Sequence, residues 1–104
     1  MACTIGFGRR IGTGELLSST KWGCFRAQVR GGLKGCNAII IADCEGLGEW
    51  EGVAEPCACI VFDGSAITPV GWQVLRKMLC ELAKEYGQDA IALTIGATEF
   101  IKGS

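Results

Sequence analysis

Between Thr68-Pro69 and Gly87 the sequence carries the start and stop signals of a helix and of little else. Threonine caps free N–H groups, proline fits the first helical position, and glycine accepts the positive φ that follows a last turn. Inside residues 69–86, Leu75, Met78, Leu79, Leu82 and Tyr86 recur on one stripe, opposite Gln73, Lys77, Glu81 and Lys84. Such a helix must lie on an apolar surface, and this requirement constrains the rest of the chain.

The surface is supplied in β form. Cys3, Ile5 and Phe7 alternate with Thr4 and Gly6, and Ile91, Leu93 and Ile95 alternate with Ala90, Ala92 and Thr94. Residues 38–42 and 57–62 are apolar on both faces, as central strands are. Residues 22–30 set Phe25, Ala27 and Val29 against Cys24, Arg26 and Gln28, which predicts a strand with one wet face. Gly31-Gly32 then reads as a hairpin, and the glycine- and acid-rich stretch 45–56 as a long loop or distorted hairpin. The expected fold class is α+β: a mostly antiparallel sheet of about five strands with one long C-terminal amphipathic helix followed by a strand. Residues 1–104 are expected to form a single domain.

One helix about 27 Å long and about 10 to 12 Å wide covers one face of such a sheet. Ile39, Ile41, Ile60, Phe62, Ile91 and Leu93 would then leave an apolar patch on the other, which a second copy would bury. A homo-oligomer is expected.

Seven cysteines raise the question of disulfides, metal or buried thiols. Their number is odd, no secretory signal reads in the sequence, and Cys3, Cys24, Cys36, Cys57 and Cys59 lie in or beside apolar runs. Reduced core thiols are therefore expected, in a cytoplasmic setting that becomes the host cytosol if the chain is phage-encoded. Without histidine, and with only Cys57-Ala58-Cys59 as a pair, neither a metal site nor a cofactor is expected. Apolar runs are too short for a membrane span, and a net charge of −1 speaks against general nucleic-acid binding.

The absence of histidine also removes the usual Ser-His and Cys-His machinery, so a binding protein is expected rather than an enzyme. Asp43-Cys44-Glu45 is the one compact group at a strand end able to act, and strand-end acids are more often structural. Arg9 and Arg10, in a glycine-rich stretch that lacks the Walker pattern, suit an anion. Trp22 and Trp50, with Arg26 and Arg30 near them in sequence, offer aromatic plates beside guanidinium groups. These six residues form the expected ligand site. The expected partner is a small anionic ligand, nucleotide-like, with a host protein as the alternative. Gln88 is expected to tie the helix end to the following strand.

The segment Gly48-Glu49-Trp50-Glu51-Gly52-Val53-Ala54-Glu55-Pro56, followed by a β-run and then Leu82-Ala83-Lys84-Glu85-Tyr86-Gly87-Gln88-Asp89-Ala90-Ile91, resembles small uncharacterised bacterial and phage proteins. In general style the chain is similar to compact phage counter-defence proteins, the Thoeris anti-defence proteins among them. That resemblance implies an oligomeric, non-enzymatic sponge for cyclic nucleotide signals. A protein-binding inhibitor of a host enzyme is the alternative reading, and a thiol-dependent enzyme the third.

Overall fold

Residues 1–103 are described by the computed structural model, with the side chain of Trp50 outside that description. The elements run β1 (Ala2–Gly8), α1 (Ser19–Gly35), β2 (Ile39–Trp50), β3 (Val53–Asp63), α2 (Pro69–Glu85), β4 (Ile91–Ile95) and β5 (Ala97–Ile101). The strands form one sheet in the order β2-β3-β1-β4-β5, and every neighbouring pair is antiparallel. Two βαβ units are thus interleaved, the split arrangement of ferredoxin-like folds, with β5 added at one edge.

The expected α+β class and antiparallel five-stranded sheet are present, and two details are corrected. Helix α2 lies mid-chain, followed by two strands, and it has a companion. Residues 19–35 form α1, not a strand and a hairpin: Ser18 caps it by accepting from the Lys21 N–H, and Trp22, Phe25, Val29 and Leu33 make its buried stripe. Strand β2 continues through the acid-rich stretch into a two-residue turn at Glu51 and Gly52, with φ of 51° and 79°. Positive φ at both central residues gives the turn whose twist suits a tight hairpin.

Both helices share a core with one face of the sheet. Phe7 stands 4.6 Å from Phe25 between ring centroids, Phe25 stacks on Tyr86 at 4.5 Å and 9°, and Phe62 meets Trp72 at 6.2 Å. Ile60, Phe62, Ile91 and Leu93 are fully buried in this core. The apolar patch expected across six residues is therefore reduced to Ile39 and Ile41, exposed on β2. The opposite sheet face carries small side chains instead. Thr4, Gly6, Cys59, Val61, Ala92 and Thr94 sit there, all half-buried.

All seven cysteines are free, but only Cys3 is buried; Cys24 and Cys44 are exposed. No described helix is long and apolar enough to cross a membrane.

Candidate functional site

At the Gly8 end of β1 the small-residue face of the sheet opens into a cleft of about 450 Å³. Gly6 and Gly8 of β1, Cys57 and Cys59 of β3 and Ala92 of β4 make its floor. The absence of large side chains there is what leaves room. One wall is the β2–β3 hairpin, which brings Glu49, Glu51 and Glu55; the facing wall brings Arg10, Gln88 and Asp89, and Phe100 of β5 lies at the rim.

The facing wall is held by its backbone. Residues 10–16 close a short turn in which Arg10 bridges to Leu16, the Ile11 N–H donates to the Glu15 carbonyl, and Gly14 takes a φ of 91°. The Gly12 N–H then donates to the Gly87 carbonyl at 3.0 Å, where α2 has ended. Buried Gln88 donates from Nε2 to the carbonyls of Arg10 and Tyr86, each at 3.4 Å. Gln88 therefore ties the helix end to the loop that carries Arg10, as well as leading into β4.

Across this space Glu55 faces Arg10, with Asp89 on the arginine's own wall. Burial pushes the Glu55 carboxyl above the usual glutamate range; Arg10 opposes the shift and the charge of Asp89 adds to it. Arg10 donates from one terminal nitrogen to the Gly14 carbonyl at 2.6 Å, while its buried Nε has no hydrogen-bond partner. The Cys57 thiol is raised by burial, then by the charges of Glu55 and Cys59.

The six residues expected to bind ligand are not brought together. Arg10 lines the cleft. Arg9, its neighbour, turns away and donates from Nε to the Leu17 carbonyl at 2.8 Å. Trp22 is in the core and donates from Nε1 to Glu45 at 2.9 Å. Arg26 pairs with Asp43 at 3.1 Å and with Glu45, and Arg30 pairs with Asp43 at 3.0 Å, so these arginines fasten α1 to β2. The same pairs occupy both acids of the Asp43-Cys44-Glu45 group. The Trp50 side chain lies outside the described residues.

Glu55, Asp89, Gly8 and Cys59 are cleft residues that the sequence reading did not select. A signal for Glu55 exists in the period of two: extending the β-run back through Pro56 puts residues 55, 57 and 59 on one face. Reading 45–56 as a loop hid it.

No family model matches the sequence, and no curated protein matches it. Solved structures do share the fold. A phage SAM lyase in complex with S-methyl-5'-thioadenosine aligns with a TM-score of 0.58 at 13% identity, over 97% of this chain and 88% of that one. A phage SAM lyase in its apo state aligns with a TM-score of 0.60 at 12% identity, over 97% and 87% of the two chains.

This likeness is one of fold, and it corrects the non-enzymatic expectation in both its forms, the sponge and the protein-binding inhibitor. That expectation rested on missing histidine and a missing catalytic set, yet the same architecture belongs to a lyase in these structures. The phage origin of both is in keeping with the phage resemblance seen in the sequence.

Proposed function

We propose that this chain is a lyase acting on S-adenosylmethionine, which it binds in the acidic cleft and cleaves to S-methyl-5'-thioadenosine. The observation that carries the reading is an acid-walled cleft on a fold that matches phage SAM lyase over 97% of the chain. S-adenosylmethionine bears a sulfonium and an ammonium, and a concave site rich in carboxylates concentrates such a cation. The cleft volume, about 450 Å³, lies within the range that takes a ligand of this size.

Releasing S-methyl-5'-thioadenosine breaks the bond between sulfur and Cγ of the amino-acid chain, and the bonding pair stays on sulfur as a neutral thioether leaves. A lyase adds no water, so the new bond at Cγ must come from the substrate. Its own carboxylate oxygen reaches Cγ and closes a five-membered lactone, and homoserine lactone with S-methyl-5'-thioadenosine accounts for every atom. Elimination would instead need a base to take a Cβ proton that no neighbouring group acidifies, far from a glutamate's basicity. Ring closure also cancels a sulfonium against a carboxylate, so removing water from both charges favours it.

In this reading Glu55 holds the substrate ammonium and with it the curl of the amino-acid chain. Arg10 tempers the acidic wall, and Phe100 offers a plate for the adenine ring. Among the described residues nothing roofs the cleft on the sheet face that the helices leave uncovered. We extend the proposal to a homo-oligomer in which a second copy supplies one, acting in the cytosol.

Incubating the purified protein with S-adenosylmethionine and separating the products tests this. Equal amounts of S-methyl-5'-thioadenosine and homoserine lactone are expected. Intact substrate, together with no S-methyl-5'-thioadenosine binding by calorimetry, would overturn it.

A further inference from the structure

Cys44 of β2 and Cys59 of β3 stand directly opposite each other in the antiparallel ladder, on the sheet face that no helix covers. Directly opposed residues have Cα atoms about 4.5 to 5.5 Å apart, inside the separation a disulfide needs. Cys44 is exposed and Cys59 half-buried. On its other side Cys59 faces Gly6, and the space where a Gly6 β-carbon would stand has only the Ala92 Cβ within 4 Å. The Cys59 sulfur therefore does not lean over β1.

The third thiol of this face is turned elsewhere. Cys57 shares the strand and the face with Cys59, but its sulfur lies 2.9 Å from where a β-carbon of Gly48 would be, toward the hairpin tip. Among the described residues no three Cys, Asp or Glu side chains converge as metal ligands, which leaves the opposed pair to thiol chemistry. Burial and then the charge of Cys44 raise the Cys59 thiol, as expected for close neighbours.

We propose that Cys44 and Cys59 form a reversible dithiol–disulfide site that locks β2 to β3 when a disulfide oxidant is present. The exposed Cys44 thiolate attacks one sulfur of a small disulfide such as glutathione disulfide, forming a mixed disulfide and releasing one thiol. The Cys59 thiolate then attacks the Cys44 sulfur and releases the second. Two protein thiols are oxidised and one disulfide is reduced to two thiols, so the step balances. The bond would fix the hairpin that carries Glu49, Glu51 and Glu55, with Cys59 itself in the cleft floor. This pairing does not depend on what the cleft binds.

The test is glutathione disulfide added to the folded protein, followed by alkylation and peptide mapping. No Lys or Arg lies between residues 44 and 59, so trypsin is combined with a glutamate-specific protease that cuts after Glu45 and Glu51. One linked pair, Cys44 with Cys59, is expected, lost on adding dithiothreitol. It should persist in Cys57→Ser and vanish in Cys59→Ser, where Cys44 keeps its glutathione. Circular dichroism confirms that each variant is folded. A link through Cys57 or Cys36, or no link while Cys44 takes up glutathione in the wild-type chain, would overturn the proposal.

Discussion

The Glu55 carboxylate lies across the backbone of Gly8, so close that a β-carbon on residue 8 would stand 2.7 Å from its Cδ. Gly8 is buried by this contact, and β1 needs a glycine there because the neighbouring strand sends an acid over it. The group in the way is the far end of a flexible side chain, so Gly8→Ala displaces Glu55 and leaves the sheet intact. Stability should change by no more than about 1 kcal/mol. Cleavage of S-adenosylmethionine should fall by about a hundredfold, since misplacing a positioning group by about 1 Å has that effect. Thermal melts beside product assays check both.

Glu55 itself should show stability and activity moving in opposite directions. Burial raises its carboxyl above the unfolded value, so the folded chain binds that proton more readily. The charged form therefore costs stability at neutral pH, and the cost disappears as pH falls through the folded and then the unfolded value. Glu55→Gln should raise Tm at pH 7, with the gain gone near pH ~4. Activity should be lost, and the acid limb of the wild-type pH–rate profile should lie above the ordinary glutamate range.

Asp43 receives both Arg26 and Arg30 in a half-buried position between α1 and β2. Asp43→Ala leaves Arg30 without its acid and Arg26 with Glu45 alone, and should cost about 1 to 3 kcal/mol. The cleft lies elsewhere, so the folded variant should retain its rate of S-adenosylmethionine cleavage. Denaturant melts and initial rates separate the two effects.

Helix α2 was legible because caps and stripe agree, whereas α1 was not, for a reason visible in four residues. Trp22, Phe25, Val29 and Leu33 fit the helical period, but Phe25, Ala27 and Val29 also fit a period of two, and Phe25 and Val29 belong to both. Gly23, Gly31, Gly32 and Gly35 lowered the helical signal further, and only packing on Phe7 and Tyr86 decides the case. With 19–35 misread, Arg26 and Arg30 could not be matched to Asp43 and Glu45 on the next strand. The cleft was hidden for a related reason. It is assembled by β3-β1-β4 adjacency and by the hairpin tip, so Gly8, Glu55 and Asp89 meet only in three dimensions.

The lactone route makes a prediction about substrate. Decarboxylated S-adenosylmethionine keeps the sulfonium, the amine and the adenosine but lacks the internal nucleophile. It should occupy the cleft as a competitive inhibitor and emerge uncleaved. Release of S-methyl-5'-thioadenosine from it at the normal rate would point to elimination or to attack by another group.

A last expectation concerns assembly, and it no longer rests on large apolar residues, since the helices bury Ile60, Phe62, Ile91 and Leu93. The uncovered face instead carries Thr4, Cys59, Val61, Ala92 and Thr94 as a shallow surface, with Ile39 and Ile41 exposed on β2. Small side chains let a second sheet approach nearer than the usual separation of about 10 Å, and the cleft opens on this same side. A copy seated there would exclude water from the substrate charges, which the proposed chemistry requires. Light scattering at low micromolar concentration should give at least twice the chain mass. Val61→Arg places a charge on that face outside the cleft, so it should yield a folded single chain with little activity. A wild-type species of one chain mass that cleaves substrate at full rate would show that the roof is not another copy. An oligomer unaffected by Val61→Arg would move the interface to a different surface.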